Sequence, residues 1–184
     1  MDFSILKKLN FDSIDLVQLF INGIQVFKAG YKNWVKYSTE SDGVTIYNNG
    51  LGYKGGTRLS SSGVEKTDNF VTAFGYIPVK GGDTICFCGQ NKLGEYVNWN
   101  DTTRATNYIC VYDASFKFLY AGTCRGDYTL SSFVESISKD GNVSVIKLKN
   151  VSSIAYFRMS VFDSYSSTGI DGNTAIITIN EEIA

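Results

Sequence analysis

The stretch DGNVSVIKLK, Asp140–Lys149, indicates the fold class of this chain. A turn cluster, Asp-Gly-Asn, is followed by a run in which apolar and polar residues alternate. Successive side chains of a strand point to opposite faces of a sheet, so this alternation is typical of a strand with one buried face. The segment TAIITIN, residues 174–180, shows the same pattern directly after a second Asp-Gly-Asn cluster.

Short β-rich runs separated by Gly, Asn, Asp and Ser recur along most of the chain from residue 37 onward. Helical periodicity is nearly absent, and only Ser131–Ser138 and the first dozen residues are candidates for a short helix. We therefore predict an all-β fold in which residues 37–184 form an antiparallel, jelly-roll-like β-sandwich. The predicted strands are Val44–Tyr47, Thr57–Ser60, Asn69–Ile77, Thr84–Cys88, Asn107–Tyr112, Lys117–Ala121, Asn142–Leu148, Ile154–Val161 and Thr174–Ile179.

The segment IDLVQLFINGIQVFKAG, residues 14–30, predicts an N-terminal β-hairpin. Asn-Gly at positions 22–23 suits a two-residue turn, which would pair Ile21 with Ile24 and Leu19 with Val26. Both faces of this ribbon are largely apolar, and an isolated two-stranded ribbon is marginally stable in water. We therefore predict that residues 1–36 form an anchor segment that needs to be covered. Its candidate assembly residues are Leu19, Phe20, Ile21, Ile24, Val26, Phe27 and, at the junction with the sandwich, Trp34.

Composition excludes several classes of function. The formal net charge is −1, so the chain has no basic field to hold nucleic acid. With no histidine, it has neither Ser-His-Asp or Cys-His nucleophiles nor histidine metal ligands. The acidic residues are scattered over turns, so we expect no catalytic activity, no cofactor and no metal site.

No apolar run approaches the roughly 20 residues needed to span a bilayer, and the N-terminus does not have the pattern of a signal peptide. We therefore expect synthesis in a cytoplasm and no membrane partner. The four cysteines, Cys86, Cys88, Cys110 and Cys124, are best interpreted as buried thiols in a reducing compartment. One disulfide and a four-cysteine zinc site are the alternatives.

The glycine-rich stretch GYKGGTRLSSSG, residues 52–63, is similar to a phosphate-binding loop only at first sight. Such a loop needs lysine directly after its last glycine, whereas Lys54 precedes Gly55 and Gly56 here. The expected structure is a Gly-Gly turn that leads into the strand Thr57–Ser60. A contribution of Arg58 or the serines to ligand or subunit contacts is the alternative.

The segment YVNWND, Tyr96–Asp101, places two aromatic residues among amides and a carboxylate. Aromatic rings that stack on sugars, flanked by planar polar groups, form one type of saccharide site on β-sandwiches. A second interpretation is that Trp99 plugs the core or lies in an interface. The candidate glycan-binding residues are Tyr96, Asn98, Trp99, Asn100 and Asp101, with Tyr53 and Arg58 from the glycine-rich stretch.

Several blocks together resemble phage and prophage structural proteins of gut and other Gram-positive bacteria, among them tail, baseplate and minor head or decoration components. The blocks are QVFKAGYKNWV, STESDGVTIYNNGLGYKGGTRLSSSG, FVTAFGYIPVKGGDTI, IAYFRMSVFD and DGNTAIITINEEI, and the resemblance covers about residues 15–183. It implies a virion protein, assembled in the bacterial cytoplasm, whose β-sandwich faces host-surface glycans. It implies no catalytic residues.

The expected partners are other virion proteins and further copies of the same chain. A trimer is favoured because closed symmetry covers exposed strand edges. The expected function is that of a non-enzymatic particle component, either a capsid decoration or head-fibre protein or a tail or baseplate accessory. The alternative is a carbohydrate-binding module that recognises host-surface polysaccharide.

Overall fold

The structure is a computed structural model that describes residues 18–21, 24–28, 52–101, 103–123, 130–163, 169–171, 174–180 and 183. The chain divides into two compact units, Met1–Tyr31 and Lys32–Ala184. The predicted boundary after residue 36 lies outside the described residues, as do Trp34, Cys124 and the predicted strand Val44–Tyr47. The predicted helix in the first dozen residues also lies outside them.

The first unit contains the predicted hairpin, with strands β1 (Gln18–Ile21) and β2 (Ile24–Lys28). Ile21 pairs with Ile24, as predicted from the two-residue Asn-Gly loop. Leu19 pairs with Phe27, so the predicted pairing of Leu19 with Val26 is wrong. The register shifts between Leu19 and Phe20, because a β-bulge places one extra residue on the second strand.

The second unit is the β-sandwich, and the all-β, jelly-roll-like prediction is confirmed. Its described strands are β3 (Tyr53–Leu59), β4 (Glu65–Phe74), β5 (Ile77–Pro78), β6 (Thr84–Cys88), β7 (Tyr108–Tyr112), β8 (Phe118–Thr123), β9 (Val134–Asp140), β10 (Val143–Leu148), β11 (Tyr156–Phe162) and β12 (Ile176–Ile179). One sheet has the order β12-β6-β10-β9, and the other has the order β3-β4-β11-β7-β8, with β5 also paired to β11.

Every described strand pair is antiparallel, and the chain passes repeatedly from one sheet to the other. After β4 and β5 it crosses to β6, returns for β7 and β8, crosses again for β9 and β10, and then places β11 and β12 in opposite sheets. These repeated crossings between two packed antiparallel sheets give the jelly-roll character. Within the described residues, no helix is long and apolar enough to cross a bilayer.

The core lies between the two sheets. Phe74 of β4 meets Phe87 of β6 across the sheet interface, with ring centroids 5.6 Å apart in an edge-on arrangement. Residues at alternate positions of β6 and β10, including Ile85 and Ile146, are fully buried in the same cluster. The alternation seen in the sequence therefore marks the inner face of the sandwich.

The predicted helix Ser131–Ser138 is wrong. A 3₁₀ turn covers Leu130–Ser132, and the following residues form strand β9. Ile137 of β9 pairs with Ile146 of β10 across an antiparallel ladder, so pairing with an existing strand overrides the weak helical preference of this segment.

The Gly-Gly pair at 55–56 lies inside strand β3, so the predicted turn at this position is wrong. The ladder between β3 and β4 shifts register between Gly55 and Thr57, and Gly56 has a φ of +70°. This bulge uses a conformation that glycine adopts without steric cost. The actual turn follows β3, where Gly63 has a φ of +74° and approaches the Tyr112 hydroxyl so closely that a Cβ would lie 2.8 Å from it.

Cys86 and Cys110 are buried thiols, as in the favoured interpretation of the cysteines, whereas the Cys88 thiol is only partly buried. Burial raises the pKa of Cys110 to about 12, although the charge of Arg158 acts in the opposite direction. Burial also raises the pKa of Cys88. Both thiols are therefore protonated and weakly nucleophilic at neutral pH. No metal-binding group of three or more His, Cys, Asp or Glu residues occurs in the described ranges.

A buried charge stabilises the outer side of the larger sheet. The side chain of Arg158 is only 5% exposed, and its Nη2 lies 2.7 Å from Oε1 of Glu65. Its Nε donates a hydrogen bond to the carbonyl of Phe74 at 3.0 Å, and its guanidinium lies 4.8 Å from the ring centroid of Tyr76. Arg158 therefore joins β11 to β4 from a buried position, whereas the side chain of its partner Glu65 is 30% exposed.

We expect Arg158→Ala to lower the free energy of unfolding by about 3 kcal/mol, because it leaves the Phe74 carbonyl and the Glu65 carboxylate without their buried donor. Denaturant unfolding measures this loss. Lys54→Ala is a matched control, because Lys54 pairs with the same Glu65 at 3.5 Å but is 51% exposed. Its loss is expected to stay below about 1 kcal/mol. If both variants lose the same free energy of unfolding, the buried contacts of Arg158 do not stabilise the sheet more than an exposed ion pair does.

Candidate functional site

A groove of about 420 Å³ lies between the β6–β7 connection, residues 89–107, and the end of β11. We call it the loop groove. Its polar lining consists of Asn91, Glu95, Asn98, Asp101, Arg104 and Asp163. Its apolar lining consists of Leu93, Tyr96, Val97 and Phe162. A space of this size holds a small ligand, and the lining combines aromatic surface with amide and charged groups.

The wall of the groove at residues 91–95 is shaped by the side chain of Asn91, which is 2% exposed. Its Oδ1 accepts hydrogen bonds from the backbone N–H groups of Leu93 and Glu95 at 2.9 and 3.0 Å. Its Nδ2 donates to the carboxylate of Glu95 at 2.8 Å and to the backbone carbonyl of Asp163 at 2.9 Å. One buried amide thus fixes the loop, one rim carboxylate and the end of β11 together.

Tyr96 and Leu93 are the exposed apolar residues of the groove, with 49% and 59% of their surface accessible. Monomeric proteins carry single exposed apolar residues routinely, but these two lie beside one concave, partly polar surface. The half-exposed Tyr96 side chain offers an aromatic surface and a hydroxyl to a ligand.

The opposite rim is a turn from Asp101 to Arg104. Asp101 Oδ1 accepts hydrogen bonds from the backbone N–H and the hydroxyl of Thr103 at 2.9 and 2.6 Å. Asp101 Oδ2 lies 3.3 Å from Nε of Arg104. Partial burial acts to raise the pKa of Asp101, but the Thr103 hydrogen bonds and the Arg104 charge outweigh it and lower that pKa. Asp101 is therefore ionised at neutral pH and acts as an acceptor.

Arg104 is held in place on its other side by Phe162. The guanidinium carbon lies 4.1 Å from the centroid of the Phe162 ring, which is a cation–π distance. Deeper in the groove, Asp163 is 4% exposed, and its Oδ2 accepts a hydrogen bond from the hydroxyl of Thr72 at 2.6 Å. The end of β11 thus contributes an aromatic ring and a buried carboxylate.

The structure brings together three of the predicted glycan-binding residues, Tyr96, Asn98 and Asp101. Trp99 is fully buried, and its Nε1–H donates to the backbone carbonyl of Tyr108 at 3.2 Å. The interpretation of Trp99 as a core residue is therefore correct, and its ring is not available to stack on a sugar. Asn100 belongs to the same segment Tyr96–Asp101, which we call the groove segment, but does not line the groove. Its Oδ1 is 3.5 Å from the Ser144 hydroxyl.

The two candidates from the glycine-rich stretch do not line the loop groove. Tyr53 packs on Phe74, with ring centroids 6.2 Å apart. Arg58 pairs with Asp68, with Nε 3.4 Å from Oδ2, across strands β3 and β4. Both side chains therefore have partners within their own sheet, and these partners explain their positions.

Sequence reasoning missed Asn107, which holds the groove segment onto the sandwich. Asn107 is fully buried. Its Nδ2 donates to the backbone carbonyls of Asn98 and Trp99 at 3.1 and 2.9 Å, and its Oδ1 accepts from the backbone N–H of Phe162 at 2.7 Å. Asn107 is the first residue of the predicted strand Asn107–Tyr112, whereas the observed strand begins at Tyr108. Nothing in the local sequence indicates the contacts of its side chain.

Sequence reasoning also missed the contributions of Asn91, Arg104, Phe162 and Asp163. The segment Gln90–Glu95 carries polar and turn-forming residues that could have drawn attention, but Phe162 and Asp163 are brought in from β11 by the fold alone. Comparison with family models, with curated proteins and with solved structures finds no match to this chain. The groove therefore has to be interpreted from its own chemistry.

We expect Asn107→Asp to lower the free energy of unfolding by about 2 kcal/mol, because a carboxylate oxygen replaces the donor that faces two carbonyls. Urea unfolding measures the change. The same substitution at the partly exposed Asn100 is the control, with an expected change within about 0.5 kcal/mol. If the two variants unfold alike, Asn107 does not fix the groove segment.

Proposed function

We propose that this chain is a non-enzymatic protein of a bacteriophage particle, and that its β-sandwich binds a host-surface saccharide in the loop groove. The observation that carries the binding part is the groove itself, where the half-exposed Tyr96 ring lies beside amide and carboxylate groups. Aromatic surface next to planar hydrogen-bonding groups suits a sugar ring, which has apolar faces and polar edges.

The state of Asp101 does not suit the general acid of a glycosidase. A glycosidase uses one carboxyl group as a general acid, and such a group has a raised pKa. Hydrogen bonds from Thr103 and the charge of Arg104 lower the pKa of Asp101, against the effect of its partial burial. This favours a fixed acceptor for ligand hydroxyl groups. Release of reducing sugar from host wall material by the purified protein would show instead that the chain is an enzyme.

The particle context is supported by the resemblance of the sequence blocks and by the composition of the hairpin. β1 and β2 contain Leu19, Phe20, Ile21, Ile24, Val26 and Phe27, which need burial against something. In this proposal the hairpin docks on another virion protein, and the chain assembles as a trimer in the bacterial cytoplasm. The sandwich then faces outward from the head, tail or baseplate.

We expect Tyr96→Ala to weaken binding to host cells or wall polysaccharide by about tenfold, the equivalent of 1.4 kcal/mol from a lost stacking contact. Binding is measured on a glycan array and by cell pull-down. Tyr120→Ala is the matched control, because Tyr120 of β8 is 40% exposed and does not line the groove. Unchanged binding in Tyr96→Ala, with a stability equal to that of the control, would remove the groove as the binding site.

We expect deletion of residues 1–28 to prevent incorporation into particles, because the hairpin is lost while the sandwich strands remain. Particles produced from a prophage that carries the deletion are analysed by mass spectrometry, with circular dichroism as the check on folding. The full chain with Tyr96→Ala is the control and should be incorporated normally. Normal incorporation of a folded, deleted chain contradicts the anchor.

A further inference from the structure

The groove carries more negative than positive charge. Three carboxylates, those of Glu95, Asp101 and Asp163, line it together with one guanidinium, that of Arg104. Like charges at short range in a partly desolvated cleft repel a ligand, whereas opposite charges attract it. The lining is therefore unfavourable for a saccharide that carries carboxylate or phosphate groups.

The one cation of the lining is already engaged within the chain. Nε of Arg104 lies 3.3 Å from Asp101 Oδ2, and the guanidinium covers the Phe162 ring at 4.1 Å. Recognition of an anionic sugar by arginine uses two parallel N–H groups of the fork, directed at the same acceptor. The pairing with Asp101 and the packing on Phe162 hold Arg104 as part of the wall.

The amide group of Asn91 is likewise engaged within the chain. Both amide hydrogens of Asn91 are donated, one to Glu95 and one to the backbone carbonyl of Asp163. By contrast, Oδ1 of Asn98 is buried without a hydrogen-bond partner in the described part of the chain. Buried polar atoms in native proteins are nearly always satisfied, so this acceptor marks incomplete hydrogen bonding at the groove.

Glu95 supplies a carboxylate at the exposed rim. Its residue is exposed, and its Oε2 is held by Asn91 Nδ2 at 2.8 Å. A carboxylate fixed in this way accepts hydrogen bonds from hydroxyl groups and pairs with an ammonium group at little conformational cost. Because Glu95 is in contact with solvent, its attraction for a cation depends on the salt concentration.

On the basis of the proposed saccharide-binding function, we infer that the loop groove selects sugars that donate hydrogen bonds and carry no negative charge. Among these, a sugar with a free amino group binds more tightly than its N-acetylated form, because the ammonium group pairs with Glu95 at the rim. A uronic acid of the same stereochemistry is rejected.

The test uses the full chain and three matched probes, oligosaccharides of glucosamine, N-acetylglucosamine and glucuronic acid with the same length and linkage. Calorimetric titration at low and at high salt gives the dissociation constants. We expect the glucosamine probe to bind about fivefold more tightly than the N-acetylated probe at low salt, and the ratio to shrink at high salt. The glucuronic acid probe should show no binding.

Glu95→Gln tests the assigned carboxylate, because it keeps the shape and removes the charge. The ratio between the dissociation constants of the N-acetylated and the glucosamine probes should fall to about one. Glu135→Gln is the matched control, since Glu135 is an exposed carboxylate on β9 that does not line the groove. It should leave both dissociation constants unchanged.

The outcomes separate this inference from the proposed function. Glucuronic acid binding as tight as that of glucosamine overturns the charge selection but leaves saccharide binding in place. A preference that survives Glu95→Gln overturns the role of Glu95. If none of the three probes, the glycan array or host cells binds the wild-type chain, the proposed saccharide-binding function itself is wrong, and the inference falls with it.

Discussion

Each of the two sheets has an apolar inner face, and these two faces are buried against each other. This mutual burial is the constraint on which the rest of the structure depends. Phe74 and Phe87 meet across the interface, and fully buried residues such as Ile85 and Ile146 continue the contact along neighbouring strands. Because consecutive strands often lie in opposite sheets, the connections have to cross the ends of the sandwich. The long β6–β7 connection is one of these crossings, and it forms the groove.

Trp99 and Asn107 show how this connection is coupled to the core. The indole of Trp99 is fully buried in the core. The buried amide of Asn107 donates hydrogen bonds to the backbone carbonyls of Asn98 and Trp99. The same amide accepts from the N–H of Phe162, so the two walls of the groove are tied through one residue. A binding surface on loops gains rigidity in this way, which lowers the entropy that a ligand has to overcome.

The chemistry of the groove follows from which groups are used internally. Arg104 is balanced by Asp101 and packed on Phe162, and Asn91 donates to Glu95 and to the backbone. In the proposed function, the carboxylates of Glu95 and Asp101 act as acceptors for a ligand with many hydroxyl groups. A second arginine is also engaged within the chain. Arg158, on the outer face of the larger sheet, pairs with Glu65 and donates a hydrogen bond to the Phe74 carbonyl.

The sequence by itself determined the sandwich, the strand Thr84–Cys88 and the Ile21–Ile24 hairpin pair, because alternation and Asn-Gly turns act over a few neighbouring residues. It also singled out Tyr96, Asn98 and Asp101, since aromatic and amide residues clustered in a polar segment are visible locally. Tertiary structure alone decided the bulge at Gly56, the strand at Val134–Asp140, the burial of Trp99 and the arrival of Phe162 and Asp163 at the groove. The bulge and the strand Val134–Asp140 depend on the detailed register with the next strand, and the burial of Trp99 and the position of Phe162 and Asp163 depend on contacts distant in sequence. A local sequence pattern specifies neither the register nor the distant contacts.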